Sequence, residues 1–129
     1  MSLKYDPNRQ LDIRRWLAHS EAERIEAVLT NHRKHRFTPP NLTAHATFHV
    51  VVENQVALED ETPVQATLTR LIGEGLDRHD AVHAIGSALA FQVYDILKTP
   101  ERQTDPNAEY YSRLRELTAA SWRASGSAQ

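Results

Sequence analysis

Two pairs of histidines carry the most chemistry in this chain. His45 and His49 stand four residues apart in "HATFHVVVENQ", with Glu53 four further on, and His79 and His83 repeat the spacing in "RHDAVHAIG". Imidazole nitrogens and a carboxylate are donors that a divalent transition ion accepts. Helix residues four apart hold their Cβ atoms about 6 Å from each other, near enough for two imidazoles to share one ion. The expected metal ligands are therefore His45, His49, Glu53, His79 and His83. If four protein ligands close the shell, the site is structural; if one position stays open, a bound water becomes a nucleophile for hydrolysis, with Glu53 as ligand or as catalytic general base. A His-rich donor set with few carboxylates suits Zn²⁺, Ni²⁺ or Fe²⁺ rather than Mg²⁺ or Ca²⁺, which want oxygen ligands. Two Glu-bridged irons fit less well, because a single glutamate lies on the motif faces.

The geometry of a helix supports grouping these residues. At roughly 100° per residue, His45, His49 and Glu53 fall within a sector of about 80°, beside Leu42, Val52 and Val56. His79 and His83 share a sector with Gly86, Ala90, Val93 and Leu97, and the small Gly86/Ala90 pair is expected to let another helix approach. An ionised carboxylate on such a semi-buried face needs a cation, a hydrogen-bond network or a metal. The bland alternative is a buried polar network, in which the histidines are satisfied by backbone carbonyls, by each other, or by Glu53 and Asp80. Other candidates are weaker. His32 and His35 in "NHRKHR" read as a solvated basic helix end that suits the helix dipole. His32 reaches a shared site only if its helix packs beside the one carrying His45. His19 precedes an N-cap serine. Asn54 and Gln55 read as interior polar residues holding a neighbouring loop, or as orienters of a ligand. Asp80 points about 100° from His79 and suits the first turn of a helix.

The elements that must position these residues read as helices throughout. Asp6-Pro7 opens a first helix through "LDIRRWLAH", and Ser20 with Glu23 forms a capping box for a second, which Pro39 and Pro40 close. A third runs from Leu42 to Leu58, and Thr62-Pro63 starts a fourth that ends at Gly75. Asp77 caps a fifth that ends before Pro100; "ERQTD" is a loop, and Asp105-Pro106 starts a last helix ending near Trp122. The expected fold is all-α, a compact bundle of five to six helices spanning 1–124 as one domain, with 125–129 a disordered tail.

Composition sets the outer limits. The 129 residues are 40% hydrophobic and 25% charged with a formal net charge of −2, which fits one globular domain and gives no basic footprint for nucleic acid. There is no cysteine, so any metal must be held by His, Asp, Glu or water. "AIGSALAF" is the longest apolar run, far short of a bilayer span, and "MSLKYDPNRQ" lacks a signal-like segment. A cytoplasmic location without membrane contact is the expectation.

The stretch from His45 to Leu89 resembles a bacterial family catalogued as a domain of unknown function. Its members show H-x3-H-x3-E-N-Q, then a Pro-Val turn, an amphipathic helix and "GLDRHDAxHAIG". The likeness covers about residues 41 to 90 and implies relatedness, with no established activity to carry over.

Three functions compete at this level. The first is a small helical metal-binding protein, extending to a metal-dependent hydrolase. The second is an HD-type phosphohydrolase, using His79-Asp80 with His49 upstream and Asp95 or Asp105 completing the set. The third is a non-enzymatic interaction module built on a buried His/Glu network. In it, the C-terminal helix, with Tyr110, Tyr111, Leu114, Leu117 and Trp122, offers a homodimer or partner surface unless it packs on the bundle.

Overall fold

Side-chain caps start most of the helices. In the computed structural model, which describes residues 3–36, 39–102 and 105–125, the α-helices are α1 (Ile13–Leu17), α2 (Glu21–Lys34), α3 (Leu42–Ala57), α4 (Val64–Gly73), α5 (Arg78–Lys98), α6 (Pro106–Glu116) and α7 (Ala119–Ala124). Asp12, Ser20, Asn41, Asp77, Asp105 and Thr118 each accept a hydrogen bond from the backbone N–H three residues on, satisfying a donor the helix itself leaves orphaned. Ser20 and Glu23 make the expected reciprocal box. At α4, Thr62 Oγ1 accepts from Val64 N, and the helix closes as expected at Gly75, whose φ of +111° belongs to glycine's range.

The all-α expectation holds, and two boundaries differ. The first helix begins at Ile13 rather than after Asp6, because Asp12 takes the cap; Asp6 instead accepts from Asn8 N in a turn. The C-terminal helix is two helices. Leu117 turns extended (ψ 131°), and Thr118 with Ser121 starts a new capping box. Between Leu58 and Thr62 and after Thr99 the chain makes short 3₁₀ turns. Residues 103, 104 and 126–129 lie outside the described residues, and with them parts of the expected "ERQTD" loop and tail.

Helix α3 is the axis of the bundle. It packs against α2, α5 and α4, and carries apolar residues on several sides. Val52 and Val56 join a core with Leu68, Leu71, Ile85, Leu114 and Trp122, while Ala46, Val50 and Ala57 join another with Tyr5, Trp16 and Val28. Tyr110, Leu114 and Trp122 are buried, so the C-terminal aromatic surface packs on the bundle. Asn54 ties the N-terminal helices to α3, accepting from Trp16 Nε1 at 2.8 Å and donating to Glu21 at 2.9 Å, and Gln55 accepts from the Tyr110 hydroxyl. No described helix is long and apolar enough to cross a membrane.

Candidate metal centre

Three helices bring four histidines to one point. His45 and His49 come from α3, His83 from α5, and His32 from α2; one ring nitrogen from each lies within 4.8 Å of the other three. His45 Nε2 and His83 Nε2 are 3.1 Å apart. Zinc–imidazole bonds of about 2.0–2.1 Å place ligand nitrogens about 3.3 Å apart in a tetrahedron; the His45–His83 edge is already near that spacing, and no edge exceeds 4.8 Å.

His32 enters against expectation. It is fully buried rather than solvated, with its ring centroid 5.0 Å from His45 and 4.8 Å from His49. The reason is visible in the sequence: Ile25, Val28, Leu29 and His32 follow one helical stripe, and α2 lays that stripe along α3. The Nδ1–H of His32 donates to the Val28 carbonyl at 2.9 Å, because a carbonyl only accepts. Its lone pair is thereby placed on Nε2. His35, in the same basic run, is the exposed C-cap of α2, as expected.

A second chain of hydrogen bonds fixes His49. Tyr5 donates its one hydroxyl hydrogen to Glu53 Oε2 at 2.5 Å, so toward His49 Nδ1, 3.0 Å away, its oxygen accepts. Nδ1 of His49 therefore carries the hydrogen and Nε2 the lone pair. That Nε2 is buried and meets no hydrogen-bond partner among the described residues. A ring held by an outer partner with its other nitrogen aimed inward is the usual arrangement of a metal-bound histidine.

Glu53 supports this chain from behind. It is fully buried, and Arg78 grips it through two parallel bonds, Nη1 to Oε2 at 2.8 Å and Nη2 to Oε1 at 2.7 Å. Arg78 Nη1 also donates to the Pro7 carbonyl at 3.0 Å. Burial works against the Arg78 charge, but the bonds and charge of Glu53 outweigh it and hold the guanidinium above its ordinary range. Tyr5 is pushed well above its ordinary value, first by burial and then by Glu53. The carboxylate expected as a ligand or general base is thus placed outside the four converging nitrogens, where Arg78 supplies the cation its burial demands.

His79 lies at the edge. Its ring centroid is 4.2 Å from His83 and 5.4 Å from His49, yet its nitrogens are not in the group of four, and its backbone N–H is held by Asn8 Oδ1. All five rings resist protonation. Burial pushes His83 down to about 3 and His45 to about 4, with neighbouring histidines adding to it. His49 falls well below its ordinary value for the same two reasons. His32 and His79 are lowered mainly by burial. Neutral imidazoles are the ligand form, so at neutral pH no proton has to leave before an ion enters.

Neither Gly86 nor Ala90 closes the helix interface as expected. A Cβ on Gly86 would meet nothing within 4 Å, and the two small residues instead border a cleft of about 540 Å³ whose wall includes His45, His49 and His83. The other residues of an HD-type site are dispersed. Asp80 lies outside the converging group in the first turn of α5, Asp95 pairs with Arg113 at 3.8 Å, and Asp105 caps α6.

No protein-family model, curated protein or solved structure matches the chain.

Proposed function

We propose that this protein binds one divalent transition ion through His32, His45, His49 and His83, with His79 beside the ion and Glu53 acting on it through Tyr5 and His49. The observation that carries this reading is the pair of fixed tautomers. His32 and His49 each commit Nδ1 to an outer acceptor and keep the lone pair on a buried Nε2, in rings packed against His45 and His83. An all-imidazole donor set favours Zn²⁺, Ni²⁺ or Fe²⁺ over oxygen-seeking cations.

The cleft gives the site an open side, since three of the four histidines line it. That favours a five-coordinate ion, with an exchangeable fifth position facing the cleft beside the four imidazoles, over a closed tetrahedral shell, and supports a water activated for hydrolysis as the chemistry on offer. A purely structural polar network is the competing reading; it accounts for the Arg78–Glu53–Tyr5 chain and for a His45–His83 hydrogen bond, but leaves His49 Nε2 buried without purpose.

Elemental analysis of protein purified without an affinity tag separates the two. The metal reading expects one transition ion per chain, lost in a His49→Ala/His83→Ala double variant. An absence of metal, with thermal unfolding unchanged by chelator, would leave the polar network.

A further inference from the structure

The cleft beside the histidines differs sharply from them in character. Apart from the histidines its wall is mostly apolar, with Phe48 and Val82 among the inner residues and Pro39, Ala90, Phe91 and Tyr94 also lining it. Asn41, Ser87 and the Tyr94 hydroxyl are its remaining polar groups, and among the described residues no Asp, Glu, Lys or Arg lines it. Phe91 and Tyr94 are 54% and 59% exposed, large surfaces for aromatic rings on a helix. Phe91 is also held in place, with the Arg113 guanidinium 4.2 Å from its centroid. At about 540 Å³ the space falls in the range of small-molecule sites.

Charge decides what belongs there. Four imidazoles bring no negative charge to a divalent ion, and the nearest buried carboxylate, Glu53, is already matched by Arg78. The ion's charge is left uncompensated in surroundings of low polarity, where a counter-anion is strongly favoured. The wall limits the kind of anion. A phosphate needs donors for three strongly hydrated oxygens and a cation beside them, and Asn41 and the largely exposed Tyr94 hydroxyl with one metal position are a sparse set for it; the Ser87 hydroxyl already donates to the His83 carbonyl. A carboxylate needs fewer donors, and an apolar body attached to it would cover Phe48, Phe91 and Tyr94.

We infer that the cleft between α3 and α5 binds a small organic carboxylate with an aromatic or branched apolar body, its carboxylate taking the fifth position of the ion held by His32, His45, His49 and His83, on the side that His45, His49 and His83 open to the cleft, and its body against Phe48, Phe91 and Tyr94. This inference rests on the metal reading above. Gly86 is the means of testing it, because it borders the cleft and a Cβ there meets nothing within 4 Å. Replacing a mid-helix glycine also favours the helix.

The experiment uses Co²⁺-loaded full-length protein, whose visible absorption reports the ligands of the ion. It is titrated separately with phenylacetate, acetate and inorganic phosphate. Phenylacetate is expected to perturb the cobalt bands and to bind about tenfold or more tightly than acetate, with phosphate weakest, as burial of a phenyl group predicts. Gly86→Leu is expected to keep the cobalt spectrum and lose most of that preference, and Ala90→Leu, farther along α5, provides the same test independently. Cobalt bound with equal affinity for phenylacetate and acetate, tightest binding of phosphate, or an undiminished preference in both variants would overturn the carboxylate cleft while leaving the metal reading intact. Failure of cobalt to bind would overturn both.

Discussion

Acid should destabilise the metal-free protein, and the histidine cluster sets how much. In the fold, burial and mutual repulsion hold His83 near 3 and His45 near 4, whereas the unfolded chain returns both to about 6.5. The folded state therefore binds fewer protons than the unfolded state throughout the window from about 4 to 6.5. The stability these groups permit is complete above pH 6.5 and is lost as pH falls through that value. Each group then costs about 1.4 kcal/mol per pH unit, or about 2 kcal/mol at pH 5 and about 4 kcal/mol for the two together. That is a large part of the 5–15 kcal/mol typical of a whole domain. Urea unfolding in the presence of a chelator, followed by Trp fluorescence at pH 8 and pH 5, reads the difference directly. With a slope of about 2 kcal/mol/M, the midpoint should fall by about 2 M. A His45→Gln/His83→Gln variant should lose about 4 kcal/mol of the dependence and keep the share of His49, His32 and His79, which burial also holds below their ordinary value. If wild-type stability changes by less than about 1 kcal/mol over this range, or if the double variant keeps the full slope, the cluster is not held neutral by the fold.

Other perturbations isolate single links of the site. Tyr5→Phe removes the hydroxyl between Glu53 and His49, and should cost about 1–3 kcal/mol of stability and about 10–100-fold in metal affinity, read by chemical unfolding and by competition with a chelating dye. Arg78→Met leaves the Glu53 carboxylate buried without its cation and should cost about 3–5 kcal/mol, while Arg78→Met combined with Glu53→Leu should recover much of that loss in the same unfolding assay. His32→Ala should abolish stoichiometric metal binding by elemental analysis, and His35→Ala, three residues along the same helix and exposed, should leave it unchanged.

Much of this arrangement is legible in the chain because it depends on local rules. Ser20 with Glu23, Asp77, and Asp105 before Pro106 announce helix starts through orphaned N–H groups, and the structure uses each of them. The i, i+4 spacing places His45 over His49, and the facing of α3 and α5 follows from their shared semi-buried sectors. What the spacing does not carry is partner choice across distant segments. His32 was obscured by its basic neighbours Arg33, Lys34 and Arg36, although its position four after Val28 put it on the apolar stripe. Arg78 was legible only as a helix-start residue, yet it decides what Glu53 does, from 25 positions away. Tyr5, 44 residues from His49, gave no local signal at all. In the sequence Gly86 and Ala90 suggest a place for close packing, but small residues also make cavities, and only the packing of the neighbours distinguishes the two outcomes.

The central claim is that His32, His45, His49 and His83 hold one ion between them. Anomalous diffraction at the zinc edge from crystals of zinc-loaded protein tests it most directly. The account predicts a single strong peak between α2, α3 and α5, about 2.0–2.1 Å from Nε2 of each of the four histidines. A peak placed on Glu53, or at exposed histidines such as His35 with the four-histidine point empty, would contradict it.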